Sequence, residues 1–167
     1  MIVETERLLL RPWREDDGAE LQRLFADPTV RGGRNLPPDR TVRLAESSLR
    51  QWRVKGFGPW AAIDKTTGCW IGRIDLDELE DWPEVDKIEV GFELHQAWWG
   101  RGFATEGALA ALGFGFEQHG LQRIISVTAA AHGVMEKAGL THRGTRYWMN
   151  PDVPVVWYAI DRAAWSR

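Results

Sequence analysis

Two sets of residues in this 167-residue chain have types and spacings that could do chemistry. The first is Gly100-Arg101-Gly102, followed at once by Phe103, Ala104 and Thr105. An alternating strand pattern ends just before it and a helical pattern begins just after it. The first N–H groups of a helix have no intrahelical partner, and they point with the positive end of the helix dipole at whatever occupies the turn. Two glycines let the main chain approach an anion without a Cβ in the way. The chemistry is phosphate or diphosphate binding. Arg101 adds charge, and the Thr105 hydroxyl suits either a phosphate oxygen or a helix cap. The second set is Glu89 and Glu93, four positions apart on a strand and so on one face of it. Either carboxylate could take a proton, directly or through water; the plainer reading makes both of them salt-bridge partners. His95 is a third candidate base.

Other phosphate motifs fit the turn poorly. A dinucleotide fingerprint needs a third glycine where this chain has Thr105, and an acidic residue about 20 positions on. The residues there are Ser126-Val127-Thr128. A Walker loop needs Gly-Lys followed by Ser or Thr, which does not occur. A strand-to-helix turn with no ligand is the remaining alternative. The four histidines, at 95, 119, 132 and 142, have no metal-ligand spacing, so no metal is expected.

The elements that must position these residues can be read coarsely. Residues 8–12 form an apolar first strand. Asp17 with Glu20 resembles a capping box ahead of a helix carrying Leu21, Leu24 and Phe25 at helical spacing. Residues 31–38 read as a loop, and a second helix ends near Lys55. Residues 60–64 and 69–76 form a hairpin. An acidic stretch follows, and with Asp75 it holds Asp77, Glu78, Glu80, Asp81, Glu84 and Asp86, which could attract a cationic partner. A fourth strand spans 87–95. A helix then runs from about Thr105 to His119, with Gly120 just past its end. Gly107, Gly113 and Gly115 within it predict close packing on a sheet. A fifth strand spans 123–128, a short helix 134–138, and a closing strand 155–162. The order describes one α+β domain over residues 1–167, built around a mixed sheet.

Composition narrows the class of protein. A net charge of −3 does not suggest a nucleic-acid partner. No apolar run is long enough to span a membrane, and residues 1–7 lack the pattern of a signal peptide, so the cytoplasm is the expected compartment. The single cysteine, Cys69, excludes an intrachain disulfide and is expected to be a buried small hydrophobe. Ten tryptophans predict core and groove walls, since an indole buries a large area and asks for one polar partner.

The residues from Trp99 to Glu106 resemble the CoA-binding turn of Gcn5-related N-acetyltransferases (GNAT). The similarity is to the branch of ribosomal-protein N-terminal acetyltransferases (RimJ/RimL-like). Further stretches match that branch in order: residues 5–12, 57–61 with 68–73, 134–140 and 158–165. The resemblance implies a largely antiparallel mixed sheet flanked by about four helices, with a splay between the fourth and fifth strands. It further implies acetyl-CoA as co-substrate, direct acetyl transfer to a primary amine, and an acceptor that is a protein N-terminus or a small amine. Leu94 would pair its main chain with pantetheine, while Trp99, Gly100, Arg101, Gly102, Phe103, Ala104 and Thr105 would hold the diphosphate. Glu89, Glu93 and Tyr158 are then the candidates for proton transfer. The oligomeric state stays open, a homodimer included.

One segment departs from that branch. Between the fifth strand and the next helix the branch usually carries Asn-x-x-Ser, which touches the cofactor and faces the leaving sulfur. Here residues 126–134 contain no asparagine, and no serine beyond Ser126. Three readings stay open: His132, Tyr158 or water donates the proton; the protein binds acyl-CoA without turnover; or a loop is missing at this alanine-rich junction, which an intact mass above 19.0 kDa would reveal.

Overall fold

Strand-forming segments with alternating burial assemble into one sheet in the computed structural model. The model describes residues 1–30, 38–128 and 133–166, leaving aside the side chains of 38–41. The strands are Val3–Glu4 (β1), Leu8–Pro12 (β2), Trp60–Asp64 (β3), Trp70–Glu78 (β4), Ile88–Leu94 (β5), Arg123–Thr128 (β6), Thr141–Trp148 (β7) and Asn150–Asp161 (β8). Among the described residues they lie in the order β1-β2-β3-β4-β5-β6-β8-β7. Every neighbouring pair is antiparallel except β5 and β6, which run parallel and are registered at Glu89 opposite Ile125. The mixed, largely antiparallel α+β sheet is as expected.

Successive residues of β3 point to opposite faces, and the two cores show this directly. Trp60 and Ala62 join Leu8, Ile74, Leu76, Val90 and Leu94 against Phe103, Ala108 and Leu112 of helix α3 (Phe103–Gly113). Ala61 instead packs with Leu21, Leu24 and Phe25 of α1 (Gly18–Ala26) and with Ala45 of α2 (Pro38–Lys55). Leu21, Leu24 and Phe25 are essentially fully buried, and each contributes roughly 2 kcal/mol by removing apolar surface from water. A short helix, α4 (Gly133–Lys137), supplies Met135 to the α3 face. The sheet therefore separates an α3/α4 face from an α1/α2 face, and β5 crosses the middle of both.

Close packing of α3 depends on glycine. A Cβ on Gly107 would lie 2.6 Å from Ile74 Cδ1, and one on Gly115 would lie 2.7 Å from Ile124 Cδ1. The helix continues beyond Gly113 as a π-helical turn, Phe114–Gln118, and Gly120 then turns the chain with φ 64°.

Several expectations change. Helix α3 starts at Phe103, two residues before Thr105, because Gly102 with φ 85° serves as its N-cap. Asp17 does not cap α1; its carboxylate accepts the Arg14 N–H at 2.7 Å and the Arg11 guanidinium at 2.6 and 2.8 Å. Cys69 is exposed rather than buried, since it sits in the turn before β4, where the Asp64 N–H bonds its carbonyl at 2.9 Å. Strands β1 and β7 escaped the sequence reading. The first is two residues long, and the second is a sheet edge whose side chains are mostly solvated. The loop read at 31–38 lies outside the described residues apart from Pro38, which opens α2.

Candidate active site

The 100–102 turn has the geometry of an anion site. Gly100 and Gly102 both take positive φ, 71° and 85°, where glycine is favoured. No side chain caps α3. Its first intrahelical bond runs from the Glu106 N–H to the Gly102 carbonyl at 3.0 Å, so the N–H groups of Phe103, Ala104 and Thr105 precede the helical ladder. Thr105 sits in the first turn rather than at the cap. Phe103 is buried and anchors the turn in the core, while Ala104 packs against the same core. The Arg101 guanidinium lies over the Trp98 ring at 5.0 Å, so its charge stays beside the turn.

Sequence reasoning passed over the support beneath this turn. Glu106 accepts the Thr5 hydroxyl at 2.5 Å, the Arg7 N–H at 2.9 Å and Arg7 Nε at 2.7 Å. Burial pushes the Glu106 carboxyl upward, but these bonds together outweigh it and leave the pKa below the ordinary value. The signal was the pair Thr5-x-Arg7 at one end of the chain and Glu106 far from it, and no local pattern connects them.

Strand β5 presents Glu89, Gly91 and Glu93 to the α1/α2 face, and His95 follows just past its end. Beyond the registered Glu89–Ile125 pair, side chains take over from the main-chain ladder between β5 and β6. The Val127 N–H donates to Glu89 Oε1 at 2.9 Å, and the Ser126 hydroxyl donates to the Val90 carbonyl at 2.8 Å. The two strands part here, as the resemblance implied. Burial pushes the Glu89 carboxyl up to about 8; the Val127 N–H acts against this and the Asp75 carboxylate with it.

Glu93 has a different environment. Arg73, directly across on β4, donates from Nε to Glu93 Oε2 at 2.5 Å and pairs through Nη2 with Asp75 Oδ2 at 2.6 Å. Its guanidinium also faces the Phe25 ring of α1 at 5.6 Å. Glu93 and Asp75 thus share one buried cation. His95 stacks edge-on to Trp70 at 5.8 Å at the end of the same face.

Tyr158 lies across the sheet from Glu89. It is registered with Ser126, is buried in the α3/α4 core, and packs edge-on against His142 at 5.3 Å. The structure thus brings Glu89 and Glu93 together on one face and leaves Tyr158 on the other. His132 lies outside the described residues. Leu94 closes β5. The His95 N–H bonds the Ile71 carbonyl at 2.9 Å, so by alternation the Leu94 main chain points away from β4 and into the splay. There its carbonyl accepts the Trp99 indole N–H at 2.7 Å. Trp99 is itself 47% exposed.

Much of the acidic stretch is already neutralised. Glu78 pairs with Lys55, Glu84 with Arg146 at 2.7 Å, and Asp86 with Arg123 at 2.9 Å. Among the described residues no group of three His, Cys, Asp or Glu side chains could hold a metal ion, and no helix is long and apolar enough to cross a membrane.

A parallel pair parting in the middle of an otherwise antiparallel sheet, with an uncapped glycine turn beside it, defines an acyl-CoA N-acyltransferase fold. The model of the acetyltransferase (GNAT) domain matches residues 7–141, and the chain belongs to that family. It is 29% identical to FsC-acetyl coenzyme A-N(2)-transacetylase of Aspergillus fumigatus over 99% of this chain and 78% of that one. The solved structure of an acetyltransferase from Agrobacterium tumefaciens is 27% identical, with a TM-score of 0.81 over 96% of this chain and 94% of that one. A ribosomal L7/L12 alpha-N-protein acetyltransferase, solved in complex with coenzyme A, shares the fold at 14% identity. Its TM-score is 0.76 over 96% of this chain and 98% of that one. The chain is an acetyl-CoA-dependent N-acetyltransferase.

Proposed function

We propose that the 100–105 turn holds the diphosphate of acetyl-CoA on the α3 side and that Glu89 deprotonates a primary amine arriving on the α1/α2 side. The observation that carries this reading is the place of Glu89. Its carboxyl stands where β5 and β6 part, so it borders the passage between the two faces, and burial raises its pKa to about 8. A general base works best with a pKa near the working pH. Ionised Glu89 takes a proton from the amine. The nitrogen lone pair then forms the C–N bond to the acetyl carbonyl carbon, the C–S bond breaks, and the thiolate receives a proton. The position of Tyr158 on the α3/α4 face supports it as that donor. Glu93, neutralised by Arg73, shapes the acceptor side rather than serving as base. Nitrogen as the acceptor atom is consistent with the N(2)-transacetylase activity named for the Aspergillus relative; here we read the acceptor as a protein N-terminus or a small amine.

The test is thiol release from acetyl-CoA over a panel of N-terminal peptides, polyamines, aminoglycosides and amino acids, using the parent and Glu89→Gln. The parent is expected to release thiol and yield an acetylated amine by mass spectrometry, whereas Glu89→Gln binds acetyl-CoA with little release. Parental turnover by Glu89→Gln would remove Glu89 from the mechanism. Binding without release for every acceptor would make the protein an acyl-CoA-binding module.

A further inference from the structure

We infer that Arg7 and Glu106 are positioning residues for acetyl-CoA, joined so that the turn before α3 accepts a diphosphate; this rests on the reading of that turn given above. Glu106 lies in the first turn of α3, where its carboxylate favours the helix dipole but would repel an anion at the same end. Arg7 removes that conflict. Its Nε and Nη2 reach Glu106 Oε2 at 2.7 and 2.6 Å, a charge-assisted pair that the Thr5 hydroxyl completes at 2.5 Å.

The same guanidinium has a second task. Nη1 donates to the Arg101 carbonyl at 2.9 Å, and Nη2 lies 3.2 Å from where a Gly102 Cβ would stand. An anion-binding turn fails if one of its carbonyls rotates toward the anion, and two glycines with positive φ leave this turn free to rotate. Arg7 holds the carbonyl at 101 on the guanidinium side, while its own plane rests on the Phe103 ring at 4.3 Å. Arg7 follows β1 and Glu106 belongs to α3, so the sheet edge and the helix fix the turn from two sides.

Charge compensation gives a signature that a purely structural tie would lack. Arg7→Met leaves the Glu106 carboxylate uncompensated at the anion site, and Arg7→Met combined with Glu106→Gln removes both charges. By calorimetry, acetyl-CoA affinity is expected to fall about 30-fold in Arg7→Met and to recover about 5-fold of that loss in the double variant, which regains the charge balance but not the hold on the Arg101 carbonyl. The preference for acetyl-CoA over S-acetylpantetheine, which lacks the diphosphate, is expected to collapse in Arg7→Met through KM rather than kcat. A double variant that binds as weakly as Arg7→Met, or an unchanged preference, overturns the inference. Gly102→Asp separates the two levels. If it abolishes binding while Arg7→Met binds like the parent, the turn is the site and Arg7 does not position it. If Gly102→Asp binds normally, the diphosphate reading itself falls. Thermal unfolding midpoints identify any variant that loses binding by unfolding, in which case Arg7→Lys, which keeps the charge but not the fork, must bind acetyl-CoA more tightly than Arg7→Met.

Discussion

The Glu89 carboxylate accepts the Val127 main-chain N–H at 2.9 Å, so a side chain of β5 occupies the place of a ladder carbonyl opposite β6. This bond ties the candidate base to the point at which the sheet opens. A group held there feels the low dielectric of the interior and still borders the opening, which suits a carboxylate that must exchange its proton during turnover.

A pH dependence follows from the raised pKa. The rate of the parent should climb with pH through a midpoint at about 8, as Glu89 ionises. Glu89→Gln should lose that limb and about 100-fold or more in kcat, with acetyl-CoA affinity kept. A pH–rate profile of both proteins checks this.

Stability should show the same group with a definite sign. The folded pKa of Glu89 lies above its unfolded value, so the folded state binds more protons between the ordinary carboxylate range and about 8. Its contribution is fully present at the acid end of that window and is lost as pH rises through it. Urea unfolding at the two ends should find that Glu89→Gln gains on the parent as pH rises.

Gly102→Asp should abolish measurable acetyl-CoA binding. It places a carboxylate at the anion site and forces a side chain onto a residue with φ 85°, which alone costs about 1 kcal/mol. Calorimetry with acetyl-CoA decides the matter, and parental affinity would mean that the site lies elsewhere.

Arg73→Met should destabilise the fold by about 3 to 5 kcal/mol, because it leaves Asp75 and Glu93 without their shared buried cation. Urea unfolding measures it. Adding Asp75→Asn and Glu93→Gln should recover much of the loss.

Trp99→Phe should tighten acetyl-CoA binding about 3-fold. The Leu94 carbonyl faces the splay and here bonds the indole N–H; on the reading that pantetheine pairs with Leu94, its amide competes with the indole for that carbonyl, and one neutral hydrogen bond is worth about 1 kcal/mol. Weaker binding in this variant would show that the indole is a wall of the site rather than a competitor.

Much of the site was legible from local signals. The glycine turn before α3, the common face of Glu89 and Glu93, and the glycines that seat α3 on Ile74 and Ile124 all follow from spacing and side-chain size. The start of α3 was misplaced by two residues because a glycine N-cap leaves no side-chain signature. Cys69 was misjudged because apolar neighbours in sequence do not decide whether a residue falls in the strand or in the turn before it.

Sequence by itself determined the family, the glycine turn before α3 and the two carboxylates that face one way, since each depends on residues within a helical turn or a strand of one another. Which carboxylate pairs with a buried cation was decided only by tertiary structure. Arg73, 20 positions from Glu93, pairs with one of them, and the Val127 N–H, 38 positions from Glu89, holds the other where β5 and β6 part. The contact that joins Arg7 to Glu106 spans 99 positions. A pKa and an ion pair depend on distance in space and on exclusion of water, and both arise only when the sheet brings remote strands side by side.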